Sequence, residues 1–118
     1  MEEVLENALE FLESGEDNLK KSRFNASVSD FFKAIVTFAD YLIYKEIKRI
    51  PKNHSERFEL LENNFEDLNR KIRDYFQKYR DSYNLRLKKE DALALKNLAY
   101  ETKNLASDKE ETKNNSKK

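Results

Sequence analysis

Apolar residues recur at intervals of three and four along most of the chain, in stretches divided by short polar breaks, and this period belongs to amphipathic helices. Leu5, Ala8, Leu9, Leu12 and Leu19 predict a first helix from Glu2 to about Ser22, with Lys20 and Lys21 near a C-terminus whose dipole favours cations. Gly15 falls inside it, where a residue without a side chain is expected to loosen the helix or end it early. A second helix is predicted from Asn25 or Ala26 to about Arg49, because Pro51 disfavours helical backbone at the residue before it. Its apolar positions form two stripes, Val28–Phe31/Phe32–Ile35–Phe38/Ala39–Leu42 and Val36–Ile43–Ile47. A helix apolar over that much of its circumference belongs at the centre of the core, with one face left for a partner.

After Pro51, Ser55 is the expected N-cap of a short third helix through Phe58 and Leu61, and Asn63-Asn64 marks its break. Phe65, Leu68, Ile72, Tyr75/Phe76, Tyr79 and Tyr83 predict a fourth helix to about Ser82. Ala92, Leu95, Leu98/Ala99, Thr102 and Leu105 predict a fifth, opened by Glu90 and Asp91. The fold class that follows is all-α, an antiparallel up-and-down bundle of about five helices over residues 1–106. Residues 107–118 hold no apolar side chain after Ser107 and are expected to form a disordered polar tail.

Composition narrows the chemistry. One Gly and one Pro in 118 residues leave little of the turn punctuation that a β protein needs. The absence of cysteine removes disulfides, thiolate metal sites and cysteine nucleophiles, and a lone His54 is too few for a histidine metal site. No metal and no cofactor are therefore expected. The N-terminus is acidic where a secretory signal is basic and then apolar, and no apolar run approaches a membrane span; the expectation is a soluble cytoplasmic protein. Net charge is zero, but residues 1–20 carry seven acids and one Lys, which leaves the rest at +6. A mildly basic body is compatible with a nucleotide or nucleic-acid partner.

Two groups of residues are candidates for binding. Arg80 with Tyr83 and Asn84 offers a guanidinium fork for a phosphate and a ring for a base. The competing reading pairs Arg80 with Asp30, Asp81 or Glu101 as a tie between helices. Lys52 and Arg57, with Lys45, Lys48 and Arg49, form a basic cluster at the end of the second helix, although Glu46, Glu56 and Glu59 interrupt it as on an ordinary solvated face. Arg49 and His54, with four residues between them, are weak catalytic candidates: His titrates near neutrality and Arg can hold a phosphate. Against that stands His54 as a turn or capping residue.

Three segments together carry a resemblance. Arg23–Phe24–Asn25–Ala26 leading into Ser29–Asp30–Phe31–Phe32–Lys33–Ala34, the Lys52–Asn53–His54–Ser55 turn, and Tyr79–Arg80–Asp81–Ser82–Tyr83 followed by Lys89–Glu90–Asp91–Ala92 resemble, in order and spacing, the HEPN superfamily. The resemblance implies a helical bundle, a homodimer, and a partnership with a small nucleotidyltransferase, often in a toxin–antitoxin pair. Its catalytic members are metal-independent RNases with an Arg, four to six intervening residues and then a His in the helix that here holds Arg80. No His follows Arg80 in this chain. The function expected is thus a non-catalytic module, an accessory or antitoxin-type partner of a nucleotidyltransferase or an RNA- or nucleotide-binding protein. The alternatives are an RNase using Arg49 and His54, and a purely structural dimerisation module.

Overall fold

The computed structural model describes residues 2–107, together with the backbone of the last helix as far as Ser116. The polar tail expected over 107–118 falls, apart from Ser107, outside the fully described residues. Five helices follow one another: α1 (Glu2–Lys20), α2 (Phe24–Ile47), α3 (His54–Asn64), α4 (Glu66–Asp81) and α5 (Lys89–Ser116). No strand occurs among the described residues, and none of the helices is long and apolar enough to cross a membrane.

The apolar excess of α2 explains the architecture. Half of its 24 residues are buried, and it packs against all four other helices, so the bundle is built around it. Phe31, Phe32, Phe38, Ile35 and Leu42 fill the interior together with Leu61, Ile72 and Leu95 from the helices around them. Of the second stripe, Val36–Ile43–Ile47, Ile43 is fully buried, Val36 is 8% exposed and Ile47 is partly buried.

Gly15 does not loosen α1. It lies buried where α1 crosses α2, and a Cβ built there would stand 2.6 Å from the Phe31 ring. Ser27 Oγ donates to the Gly15 carbonyl at 2.9 Å, so the small residue lets the two backbones come close enough for a direct tie. Elsewhere the scarcity of glycine shows at helix ends. Ser22 and Lys48 take left-handed backbone (φ 57° and 60°) after α1 and α2, the positions where glycine is favoured, and Lys48 N donates to Tyr44 O at 2.8 Å.

The N-cap of α3 is Asn53, not Ser55. Its extended backbone lets Asn53 Oδ1 accept from Glu56 N at 2.9 Å, and His54 becomes the first helical residue. This shift of two residues sets the direction of the His54 ring.

Candidate functional site

The turn into α3 does not bring Arg49 and His54 together. Arg49 extends to Glu56, 3.1 Å away on the surface, whereas the arginine at His54 is Arg57, one helical turn further on. Arg57 Nη1 lies 2.8 Å from His54 Nδ1, while its Nε and Nη2 grip the two oxygens of Asp40 on α2 at 2.7 and 2.9 Å. A guanidinium only donates. His54 Nδ1 must therefore accept, and the neutral ring carries its proton on Nε2.

That arrangement fixes the electrostatics. Burial lowers the pKa of His54 from its ordinary 6.5, the adjacent Arg57 charge lowers it further, and Asp40 opposes them only in part. For Asp40, burial raises the pKa and outweighs the two-point grip of Arg57. Chemically, His54 has no free lone pair with which to accept a substrate proton, because one nitrogen is engaged by Arg57 and the other holds hydrogen. Arg57 is equally committed: its side chain is 12% exposed and each edge is used, so it is a helix-to-helix lock and not the phosphate contact expected from the sequence. The basic cluster around it disperses in the same way. Lys45 and Lys48 lie over the Tyr41 and Tyr44 rings, which leaves Lys52 exposed without an ion pair among the described residues.

From His54 a run of rings leads across the bundle. His54 faces Phe76 at 5.0 Å, Phe32 stacks on Tyr79 at 4.5 Å, and Tyr79 meets Tyr83 edge-on at 5.6 Å. The two tyrosine hydroxyls are hydrogen-bonded at 2.9 Å. Burial, together with this bond, pushes the Tyr79 phenol up to about 12, so at neutral pH it is a neutral anchor and not a nucleophile. Tyr83, at the far end, is 68% exposed.

At that end stands Arg80, and none of the carboxylates considered for it is available. Asp30 accepts from Ser14 Oγ and Asn18 Nδ2 at 2.6 and 2.8 Å, Asp81 accepts from Gln77 at 2.8 Å, and Glu101 pairs with Lys71. Arg80 is exposed and has no ion pair among the described residues. Asn84 is exposed beside it, its backbone N–H bonded to Asp81 O at 3.1 Å.

Sequence reasoning missed the residue that organises this region. Asn25, in the first turn of α2, donates from Nδ2 to Ser82 O at 2.8 Å and to Leu85 O at 2.5 Å, and its Oδ1 accepts from Leu87 N at 3.0 Å. One amide thus pins the loop between α4 and α5 to the start of α2. The two segments it joins, 20–25 and 78–89, hold eight Lys and Arg against a single Asp. Seven arginines occur in the chain. Arg49, Arg57 and Arg70 are in ion pairs and Arg73 lies over the Phe58 ring, whereas Arg23, Arg80 and Arg86, all on the joined segments, have no such partner among the described residues. The charge count of each segment was readable, but not that residues some 60 positions apart would meet. No group of side chains that could hold a metal ion occurs among the described residues.

Known proteins set this architecture in context. No curated protein and no solved structure matches the chain. The family model of the HEPN domain does match, over residues 1–111, which take in all of α1 to α4 and most of α5. With that match spanning nearly the whole sequence, the chain belongs to the HEPN domain family.

Proposed function

We propose that this chain is a non-catalytic HEPN module that binds RNA through the basic end formed by residues 20–25 and 78–89. The observation that carries the reading is the contrast among its arginines: the three without a carboxylate or ring partner among the described residues all lie on the segments of that end, which also holds the exposed Tyr83 ring. An exposed guanidinium without a partner adds little to the fold, but it is weakly hydrated and suits phosphate oxygens, which accept from its planar fork in pairs. An aromatic ring beside them adds a surface on which an unpaired base can stack. The non-catalytic part of the reading is supported by His54, the only histidine, whose Nδ1 is taken by Arg57.

Both parts are testable on the full chain. In EDTA, a single-stranded RNA incubated with the protein should remain intact; cleavage that disappears in His54→Ala would establish the RNase alternative instead. Fluorescence anisotropy should show RNA binding that weakens in Arg80→Gln, and binding unaffected by that change counts against the basic end.

A further inference from the structure

A cavity of about 320 Å³ opens where the start of α2 meets the pinned loop, lined by Ser22, Arg23, Phe24, Asn25, Ala26 and Arg86. Its chemistry differs from that of another open cavity, about 350 Å³ between α4 and α5, whose lining sets Lys71 against Asp74 and Glu101. Here no lining residue is acidic, and the two arginines have no ion pair among the described residues. Asn25 spends both amide hydrogens and its oxygen on the loop, so it adds nothing to an anion directly but fixes the loop from which Arg86 projects. The Ser22 hydroxyl has no protein partner among the described residues and supplies a neutral donor at the rim.

We propose that this cavity seats a terminal phosphate monoester, that of an RNA 5′ end, between Arg23 and Arg86, with Asn25 as the positioning residue. The inference rests on the RNA-binding reading above and specifies its anchor. A terminal phosphate carries close to two negative charges at pH 7, which two guanidiniums match, whereas each phosphodiester within a strand carries one. The volume is in the range of small-ligand sites and has room for the attached sugar as well as the phosphate. Arg80 and Tyr83 lie outside the cavity lining, where the rest of a strand would pass.

The test compares one RNA sequence, labelled at its 3′ end and carrying either a 5′-phosphate or a 5′-hydroxyl, by anisotropy at fixed salt. The phosphorylated form is expected to bind at least about ten-fold more tightly, the size of a single hydrogen bond to a charged group at the lower end of its range. That preference should fall below about two-fold in Arg23→Gln, in Arg86→Gln and in Asn25→Ala, while Arg80→Gln weakens both RNAs and keeps their ratio. The ratio separates a lost seat from a merely destabilised fold, because misfolding lowers both affinities together. Excess AMP that brings the phosphorylated RNA down to the affinity of the hydroxyl form assigns the seat to any nucleotide phosphate. Failure of AMP to compete assigns it to RNA ends, and the seat stands in either case. Equal binding of the two RNAs by the unaltered protein overturns the seat and leaves the basic end intact. Binding of neither overturns both.

Discussion

At the start of α3, Arg57 gives every edge of its guanidinium to Asp40 and His54; at the far end of the ring series Phe32, Tyr79 and Tyr83, Arg80 gives none of its own. Each arginine sits on a helix, yet one is nearly buried and the other exposed. The difference lies in the neighbouring helix. Across from Arg57, α2 presents a carboxylate within an apolar run, whereas the acids that could have paired with Arg80 are bonded to Ser14, Asn18, Gln77 and Lys71. Burial with a partner makes an arginine structural, and exposure without one makes it available to a ligand.

The largest effect should come from breaking the paired region. Arg57→Ala leaves the Asp40 carboxylate buried without its counter-charge, and urea unfolding should show a loss of about 3–5 kcal/mol at neutral pH. Because Asp40 already holds a raised pKa, that deficit should shrink as the pH falls and the carboxyl takes up a proton. The double change Arg57→Met with Asp40→Leu should recover most of the stability, since apolar packing can replace a buried ion pair. If Arg57→Ala costs no more than an ordinary surface change, the lock described here is not holding the helices.

Next comes Gly15→Ala, which forces a methyl group into a fully buried Phe31 ring and should cost about 1–3 kcal/mol in the same assay, although alanine favours helix. Asn53→Ala removes the bond to Glu56 N and should cost about 1 kcal/mol, while Ser55→Ala should cost less, as Ser55 is not the cap.

A smaller effect tests the tautomer of His54. Its folded pKa lies below the unfolded value near 6.5, so the unfolded chain binds more protons between the two, and stability should fall as the pH drops through that window. Asp40, with a raised pKa, acts in the opposite direction at lower pH. As the chain has one histidine, the loss in melting temperature between pH 7.5 and 5.5 should vanish in His54→Gln. A slope that persists in that variant assigns it to another group.

How much of this could be read from the sequence depended on how local the signal was. The five helices follow from apolar spacing, and the ends of the first four and the start of the fifth were placed to within a few residues, whereas α5 continues about ten residues past its last apolar position. Misplacements occurred where one side chain decides: Asn53 and Ser55 are both good caps, and only the extended backbone at Asn53 selects between them. Gly15 was read as a weakness because its value lies in the approach of α2, which no window of α1 contains. The site was less legible. Arg49 and His54 have suggestive spacing, but the helix that starts at His54 turns its ring towards Arg57. An acid within the apolar run 36–43 was the available sign that Asp40 would need a buried cation. Asn25, by contrast, gave no sign of its three bonds to residues near position 85, since tertiary contacts alone bring them together.

The comparison is tested most directly by the salt dependence of RNA binding in the triple variant Arg23→Gln, Arg80→Gln, Arg86→Gln. The account predicts that its stability stays within about 0.5 kcal/mol of the unaltered chain, as expected for exposed residues without partners. The slope of log affinity against log salt should meanwhile lose about 2 units, near 0.7 for each single-strand phosphate contact removed. Unchanged affinity and slope in a folded triple variant would contradict the assignment of the unpaired arginines to RNA.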